Sequence, residues 1–352
     1  MRKILNEKVF VAMSGGVDSS VAAALLKKEG YDVTGVHMLC WEGCENNRDK
    51  QDAMRVAAVL DIPFLVWDFK KEYREAVFNY MVREYSAGRT PNPDVMCNKE
   101  IKFGIFLKRA LEAGADFIAT GHYVKKSGSA LLQAKDKSKD QSYFLWTLTQ
   151  DQLWHSLFPI GGYLKSEVRG LARGFGLSVA EKKDSQGLCF VGKIDFGEFI
   201  KNEIPKKIGA IVSPDGKKIG ELDGALFYTV GQRHVLNLGG QTAPVYVAVK
   251  NLLTNTLVVS QEKDSLLYKK ELFAENFNWI DKIPAIPFSC QVRIRYRQPL
   301  QEAVLYEDGR VEFLCPQRAV APGQSIVFYA PSEALAEEGE ETEMLGGAII
   351  KE

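Results

Sequence analysis

The segment Met13-Ser14-Gly15-Gly16-Val17-Asp18-Ser19-Ser20 constrains this chain more than any other. It follows an apolar run at residues 8–13, where Val9, Val11 and Met13 alternate with the equally apolar Phe10 and Ala12, the pattern of a strand buried on both faces. It precedes Val17, Val21, Ala22, Leu25 and Leu26, which share one helical face, with Gly30 as the stop. Two glycines between a buried strand and a helix let the backbone turn tightly and approach an anion. The free N–H groups of the helix start then point at that anion. Ser14 and Ser19 add hydroxyls. Asp18 is the unusual member, because a carboxylate repels phosphate. A magnesium ion held by Asp18 and phosphate oxygens would reconcile them. The spacing is neither that of a Walker P-loop nor that of a dinucleotide fingerprint.

The alternation continues. Residues 31–39 read as a strand, and Ala53, Val56, Ala57 and Leu60 as a helix ended by Ile62-Pro63. A strand follows at 64–69, then helices at 70–86 and 99–113, then a strand at 116–120 leading into Gly121-His122-Tyr123. Such β-α-β order predicts a parallel sheet covered on both faces. Beyond about residue 208 the pattern changes. Val245, Val247 and Val249 alternate, as do Cys290, Val292, Ile294 and Tyr296, and Asp308-Gly309 marks a hairpin. The expected architecture is α/β, with a parallel-sheet domain at 1–204. A small central β domain at 205–280 and a C-terminal β-barrel domain at 281–352, both antiparallel, follow it. The boundaries rest on a composition shift near 203–207 and two prolines within 281–287, and the acidic stretch 333–343 reads as a solvated insertion.

The 352 residues are 46% hydrophobic and 26% charged, as in globular proteins, and no apolar run reaches the length of a membrane span. No apolar segment follows the basic N-terminus, so the expected location is cytoplasmic, with no membrane partner. Lys plus Arg and Asp plus Glu each number 45, so an RNA partner would have to be held by local patches. Arg293, Arg295 and Arg297 alternate with apolar residues, which on a strand places three guanidinium groups on one face for phosphate contacts. The four histidines lack metal-ligand spacing, and no metal site is predicted. His37 and His155 read as structural, whereas His122, at a strand end, is a candidate for the ligand site. The six cysteines contain no C-x-x-C, only the C-x3-C pair Cys40 and Cys44.

Cys97 follows Arg89-Thr90-Pro91-Asn92-Pro93-Asp94-Val95-Met96, a lead-in stiffened by prolines. With Asn98 as N-cap of a helix starting at Lys99, Cys97 would stand just before a helix N-terminus beside Lys99 and Lys102, a setting that favours thiolate. Asp94 could orient a substrate or move a proton. Cys189, in Asp184-Ser185-Gln186-Gly187-Leu188-Cys189-Phe190, is a weak signal alone. A site that activates an oxygen with ATP and holds two cysteines could exchange that oxygen for sulfur.

The Ser14–Ser19 loop resembles the S-G-G-x-D-S loop of the ATP pyrophosphatases, which adenylate an oxygen so that AMP can leave. The wider chain resembles the tRNA-specific 2-thiouridylases. Thr90-Pro91-Asn92-Pro93-Asp94 with Cys97-Asn98, Thr120-Gly121-His122-Tyr123, Lys139-Asp140-Gln141-Ser142-Tyr143-Phe144-Leu145 and Cys189-Phe190 carry the resemblance. So do Thr229-Val230-Gly231-Gln232-Arg233, Arg295-Tyr296-Arg297-Gln298 and Pro316-Gln317-Arg318-Ala319-Val320. It implies a Rossmann-like (HUP/PP-loop) first domain and an enzyme that makes 2-thiouridine at the tRNA wobble position. Ala12, Met13, Ser14, Gly15, Gly16, Val17, Asp18, Ser19, Met38 and Gly121 would bind ATP, with Mg2+. Asn92, Pro93 and Asp94 would meet the target uridine, and Lys139, Asp140, Gln141, Arg295 and Tyr296 would touch tRNA near its anticodon loop. Cys97 and Cys189 would be catalytic, with persulfide sulfur on Cys189 and a transient Cys97–Cys189 disulfide. The sulfur would come from a cysteine desulfurase or a sulfur relay protein. Three rivals stay open: an iron–sulfur cluster on Cys97, Cys189 and Asp94 as sulfur carrier, an ATP pyrophosphatase with another nucleophile, and a non-catalytic RNA-binding protein.

Overall fold

In the computed structural model, residues 7–41, 46–183, 200, 203–233, 244–331 and 342–351 are described. The strand Lys8–Ala12 lies inside a five-stranded parallel sheet, in the spatial order Phe64–Asp68, Asp32–Leu39, Lys8–Ala12, Phe117–Ala119, Ser156–Leu157. Val9 sits in register with Val33 on one side and Phe117 on the other. The chain winds outward from this strand to Phe64–Asp68 on one side and then crosses back to Phe117–Ala119 on the other, so the crevice at its carboxyl end is a switch point, where α/β sheets receive ligands. Val9 and Val11 pack under the helix Val17–Glu29, which ends on Gly30 at φ 95°. Phe10 and Ala12 face the other layer, with Trp67, Ile101 and Phe106.

Gly209–Val212, Lys218–Leu222, Val245–Asn251 and Thr256–Gln261 form a separate four-stranded sheet around Ile211, Leu222, Val247 and Leu257. Its Gly209–Val212 and Thr256–Gln261 strands run parallel, within an otherwise antiparallel arrangement.

The third sheet closes into a six-stranded barrel. Its order is Tyr268–Trp279, Arg310–Arg318, Gln301–Leu305, Phe288–Arg293, Ser325–Tyr329 and Glu343–Ile350. The first and last strands pair, Ala274 with Ile350. The barrel therefore begins at Tyr268, not at 281: the boundary expected between 280 and 281 falls behind its first strand. That strand opens on Tyr268-Lys269-Lys270-Glu271, all exposed, so its alternation is faint in the sequence. A hairpin from the first domain, Val124–Ser127 and Ala130–Gln133, extends the barrel sheet by pairing Leu131 with Met344. The acidic insertion lies outside the described residues up to 341, and Glu343 already belongs to the last strand. Among the described residues no helix is long and apolar enough to cross a membrane.

Candidate active site at the strand ends of the parallel sheet

The chain leaves Ala12, turns through Gly15 at φ 80° and enters the helix Val17–Glu29 from Gly16. Ser14 and Ser19 close the turn on themselves, with their hydroxyl oxygens 3.3 Å apart and the Ser14 N–H donating to Ser19 Oγ at 3.2 Å. Two neighbours press so closely that only glycine fits. A Cβ on Gly15 would collide with the Asp49 carbonyl, and one on Gly121 would stand 2.5 Å from the Ser19 nitrogen. Gly121 thus seats the strand Phe117–Ala119 against the helix start. Met38 is buried near the end of the adjacent strand, and the His37 ring bonds the Met13 carbonyl at 2.9 Å. Burial lowers the His37 pKa from the ordinary histidine value.

Asp18 is balanced by a lysine that local sequence reasoning missed. The Lys165 ammonium donates to both Asp18 oxygens at 2.8 Å, and the Tyr123 hydroxyl donates to Oδ1 at 2.8 Å. The carboxylate expected to hold magnesium is therefore already paired. The cation that balances Asp18 in this structure is Lys165. A second missed lysine, Lys182, donates to the Gly15 carbonyl at 3.0 Å, to Asp49 at 2.7 Å and to Asp52 at 2.6 Å. It ties the helix Asn46–Val59 to the back of the turn. Both lysines lie far along the chain from the residues they bind, 147 positions for Lys165 and 130 to 167 for Lys182, so no local pattern reveals them.

The thiol Cys97 differs from expectation. The helix starts at Pro93, with Asn92 as N-cap accepting from the Val95 N–H at 3.3 Å. Asn98 is no cap; its side chain donates to the Phe144 carbonyl at 3.2 Å. Cys97 stands in the second turn, where Cys97–Phe106 winds as a π-helix, and it is fully buried. It is therefore not at a helix N-terminus, the position expected for it. Proline at the first helical position, after asparagine, was the signal for the true start. Asp94 is half-buried on that first turn. Cys189 and Asp184-Ser185 lie outside the described residues, as does Cys44. Among the described residues no three His, Cys, Asp or Glu side chains stand together as a metal site.

One joint links the loop to this helix. Gly121 packs on the Ser19 backbone, and the next residue, His122, lays its ring 5.8 Å from Phe103, in the π-helix of Cys97. His122 bonds Thr120 Oγ1 at 2.8 Å. Burial first, and the Lys102 charge second, push its pKa well below the histidine range.

The segments expected to touch tRNA also come together. Arg293 reaches Asp140 at 2.7 Å, and the Phe144 and Tyr296 rings stand 4.5 Å apart. The strand face of three arginines does not form. The strand ends at Arg293, whose guanidinium is buried on Asp140. Arg295 donates to the Val230 and Ala319 carbonyls, and Arg297, at φ 64°, lies over the Tyr296 ring. Asp140 is 1% exposed and fastens these segments from within. Lys139 and Gln141 flank it half-buried, with Gln141 accepting from the Tyr123 N–H at 2.9 Å.

This fold and site define a HUP-type α/β enzyme with two β domains appended. Three family models match: the tRNA methyl transferase HUP domain over residues 7–193, the tRNA methyl transferase PRC-barrel domain over 197–261 and the aminomethyltransferase beta-barrel domain over 269–350. The tRNA-specific 2-thiouridylase MnmA of Geobacillus thermodenitrificans is 46% identical over 344 residues, covering 93% of each chain. That of Halalkalibacterium halodurans is 47% identical over 338 residues, 92% of this chain and 91% of the other. That of Bacillus cytotoxicus is 42% identical over 369 aligned residues, 100% and 97%. The chain belongs to the tRNA-specific 2-thiouridylase family.

Proposed function

We propose that this enzyme uses ATP to replace the C2 oxygen of the wobble uridine of tRNA by sulfur. The observation that carries the reading is the joint at Gly121-His122, which touches the phosphate turn on one side and the helix of the buried Cys97 on the other. The uridine oxygen attacks the α-phosphate of magnesium-bound ATP, and pyrophosphate leaves. Turn N–H groups and the Lys165 ammonium supply the positive potential that the departing phosphates need. Ala12–Ser19, Met38 and Gly121 bind ATP in this reading, and Asn92, Pro93 and Asp94 meet the base. Lys139, Gln141, Arg295 and Tyr296 face the anticodon loop, with Asp140 holding them in place.

Sulfur arrives as a persulfide on Cys189, given by a desulfurase or relay protein in the cytoplasm. Its terminal sulfur attacks C2 and AMP leaves. The Cys97 thiolate then attacks the Cys189 sulfur, breaking the S–S bond to the base-bound sulfur. The products are 2-thiouridine and a Cys97–Cys189 disulfide, which a dithiol reductant reopens. Cys97 is buried, so that step requires its helix to yield. The matched domain descriptions speak of methyl transfer, whereas a turn built for phosphate supports adenylation.

The deciding assay combines full-length protein, ATP, magnesium, sulfide and unmodified tRNA, read by nucleoside mass spectrometry. An ATP-dependent 2-thiouridine peak is expected, and its mass separates sulfur exchange from methylation. AMP formed with tRNA but without a thionucleoside would point to another nucleophile.

A further inference from the structure

The lead-in to the Cys97 helix is held from outside its own domain. Pro91 and Pro93 have no N–H, so this stretch has few backbone donors of its own with which to hold itself. The Gln324 amide, just before the barrel strand Ser325–Tyr329, donates to the Thr90 carbonyl at 2.9 Å and to the Pro91 carbonyl at 3.1 Å. The Thr90 N–H donates to the Pro322 carbonyl at 2.8 Å, and the Thr90 hydroxyl lies 3.1 Å from that of Thr229 in the central domain. Gly323, at φ 90°, has no space for a side chain: a Cβ would meet the Thr90 backbone at 2.9 Å. Thr90 is 8% exposed, so water does not replace a lost partner there.

We propose that Gln324 is a positioning residue for thiolation. By fixing the Thr90 and Pro91 carbonyls it sets where Asn92–Asp94 and Cys97 stand against the base. The barrel then acts on the chemistry itself, beyond docking RNA. The inference rests on the reading that this segment meets the target uridine.

Gln324→Glu in the full-length protein tests it, because the isosteric carboxylate turns an oxygen toward two carbonyl oxygens. The expected result is a kcat at least about tenfold lower, with the KM for tRNA within about threefold. Labelling of Cys97 by iodoacetamide, read on its peptide, should rise about threefold or more as the buried helix loosens. Gln324→Asn, which keeps an amide donor on a shorter arm, should fall between. An unchanged kcat and labelling rate would overturn the proposal. So would a rate loss matched by an equal loss of tRNA affinity, since the barrel would then only dock RNA. Should Gln324→Glu fail to fold, Thr229→Val removes the hydroxyl contact instead, and unchanged labelling there counts against the clamp. A wild-type enzyme that makes no 2-thiouridine would defeat the functional reading, while the labelling contrast would still report on the clamp.

Discussion

Asp140 accepts hydrogen bonds from Gln133, from the Ala134 and Ser142 N–H groups, from the Ser142 hydroxyl and from Arg293. Removing the guanidinium leaves a buried carboxylate without its counter-charge, which costs about 3–5 kcal/mol in such pairs. The four neutral donors soften this, so Arg293→Met is expected to lower the free energy of unfolding in urea by about 3 kcal/mol. It should leave the salt dependence of tRNA binding unchanged, because Arg293 faces Asp140 and not phosphate; a shallower slope would restore the arginine-face reading. His122 makes a second residue-level prediction. Burial depresses its pKa in the fold, so the unfolded chain takes up a proton that the folded chain refuses. Stability is then fully present above about pH 6.5 and falls as the pH drops below that value. Denaturation from about pH 7 to pH 5 should show this slope, and His122→Gln should flatten it; His37, depressed in the same direction, keeps part of it. The spacing of Arg293, Arg295 and Arg297 was plain in the sequence. What it could not show is that the strand stops at Arg293 and that the nearest acid lies 153 positions away.

The phosphate turn is the element most open to prediction, because everything that makes it is local: a buried strand, two glycines, a helix face. Its seat is not local. Gly121→Ala puts a methyl group 2.5 Å from the Ser19 nitrogen, so the first turn of Val17–Glu29 must shift or the Phe117–Ala119 strand must retreat. Displacement of a reacting group by about 1 Å costs about a hundredfold in rate, and tRNA-dependent pyrophosphate release by Gly121→Ala should fall at least that far. The variant should keep its circular dichroism; intact pyrophosphate release would show that the strand end does not seat the turn. The Cys97 helix was harder to read. The expected start at Lys99 rested on Asn98 as N-cap, whereas the helix begins at Pro93 and Cys97–Phe106 winds as a π-helix. Asn92 between two prolines looked like loop, whereas the second proline fills the first helical position.

At the scale of the molecule, the first domain and the barrel share one core. Phe103, Leu131, Tyr143 and Trp146 pack in the same cluster as Val327, Tyr329 and Met344. Polar contacts stitch the same seam: Trp146 Nε1 donates to Ser325 Oγ at 3.0 Å, the Tyr143 hydroxyl to the Ser325 carbonyl at 3.0 Å, and Asn278 to the Trp146 carbonyl at 2.7 Å. The hairpin Val124–Gln133 even continues the barrel sheet. None of this shows in a sequence read by segments, because strand pairing between residues some 200 positions apart has no local signature. It makes the expected division at 204 a boundary in the chain rather than in the core. A fragment of residues 1–204 would leave Leu131, Tyr143 and Trp146 without their cover and the Tyr143 and Trp146 donors without partners. It should bind a hydrophobic dye, keep its far-ultraviolet helix signal and lack a cooperative melting transition. In the intact chain, calorimetry should show the first domain and the barrel melting together, with any separate transition confined to the central sheet, which packs around its own Ile211, Leu222, Val247 and Leu257. A fragment that melts sharply on its own would mean that the shared cluster is an interface between finished domains. The barrel could then hold the uridine loop only by docking, and the grip of Gln324 on Thr90 and Pro91 would be as reversible as that contact.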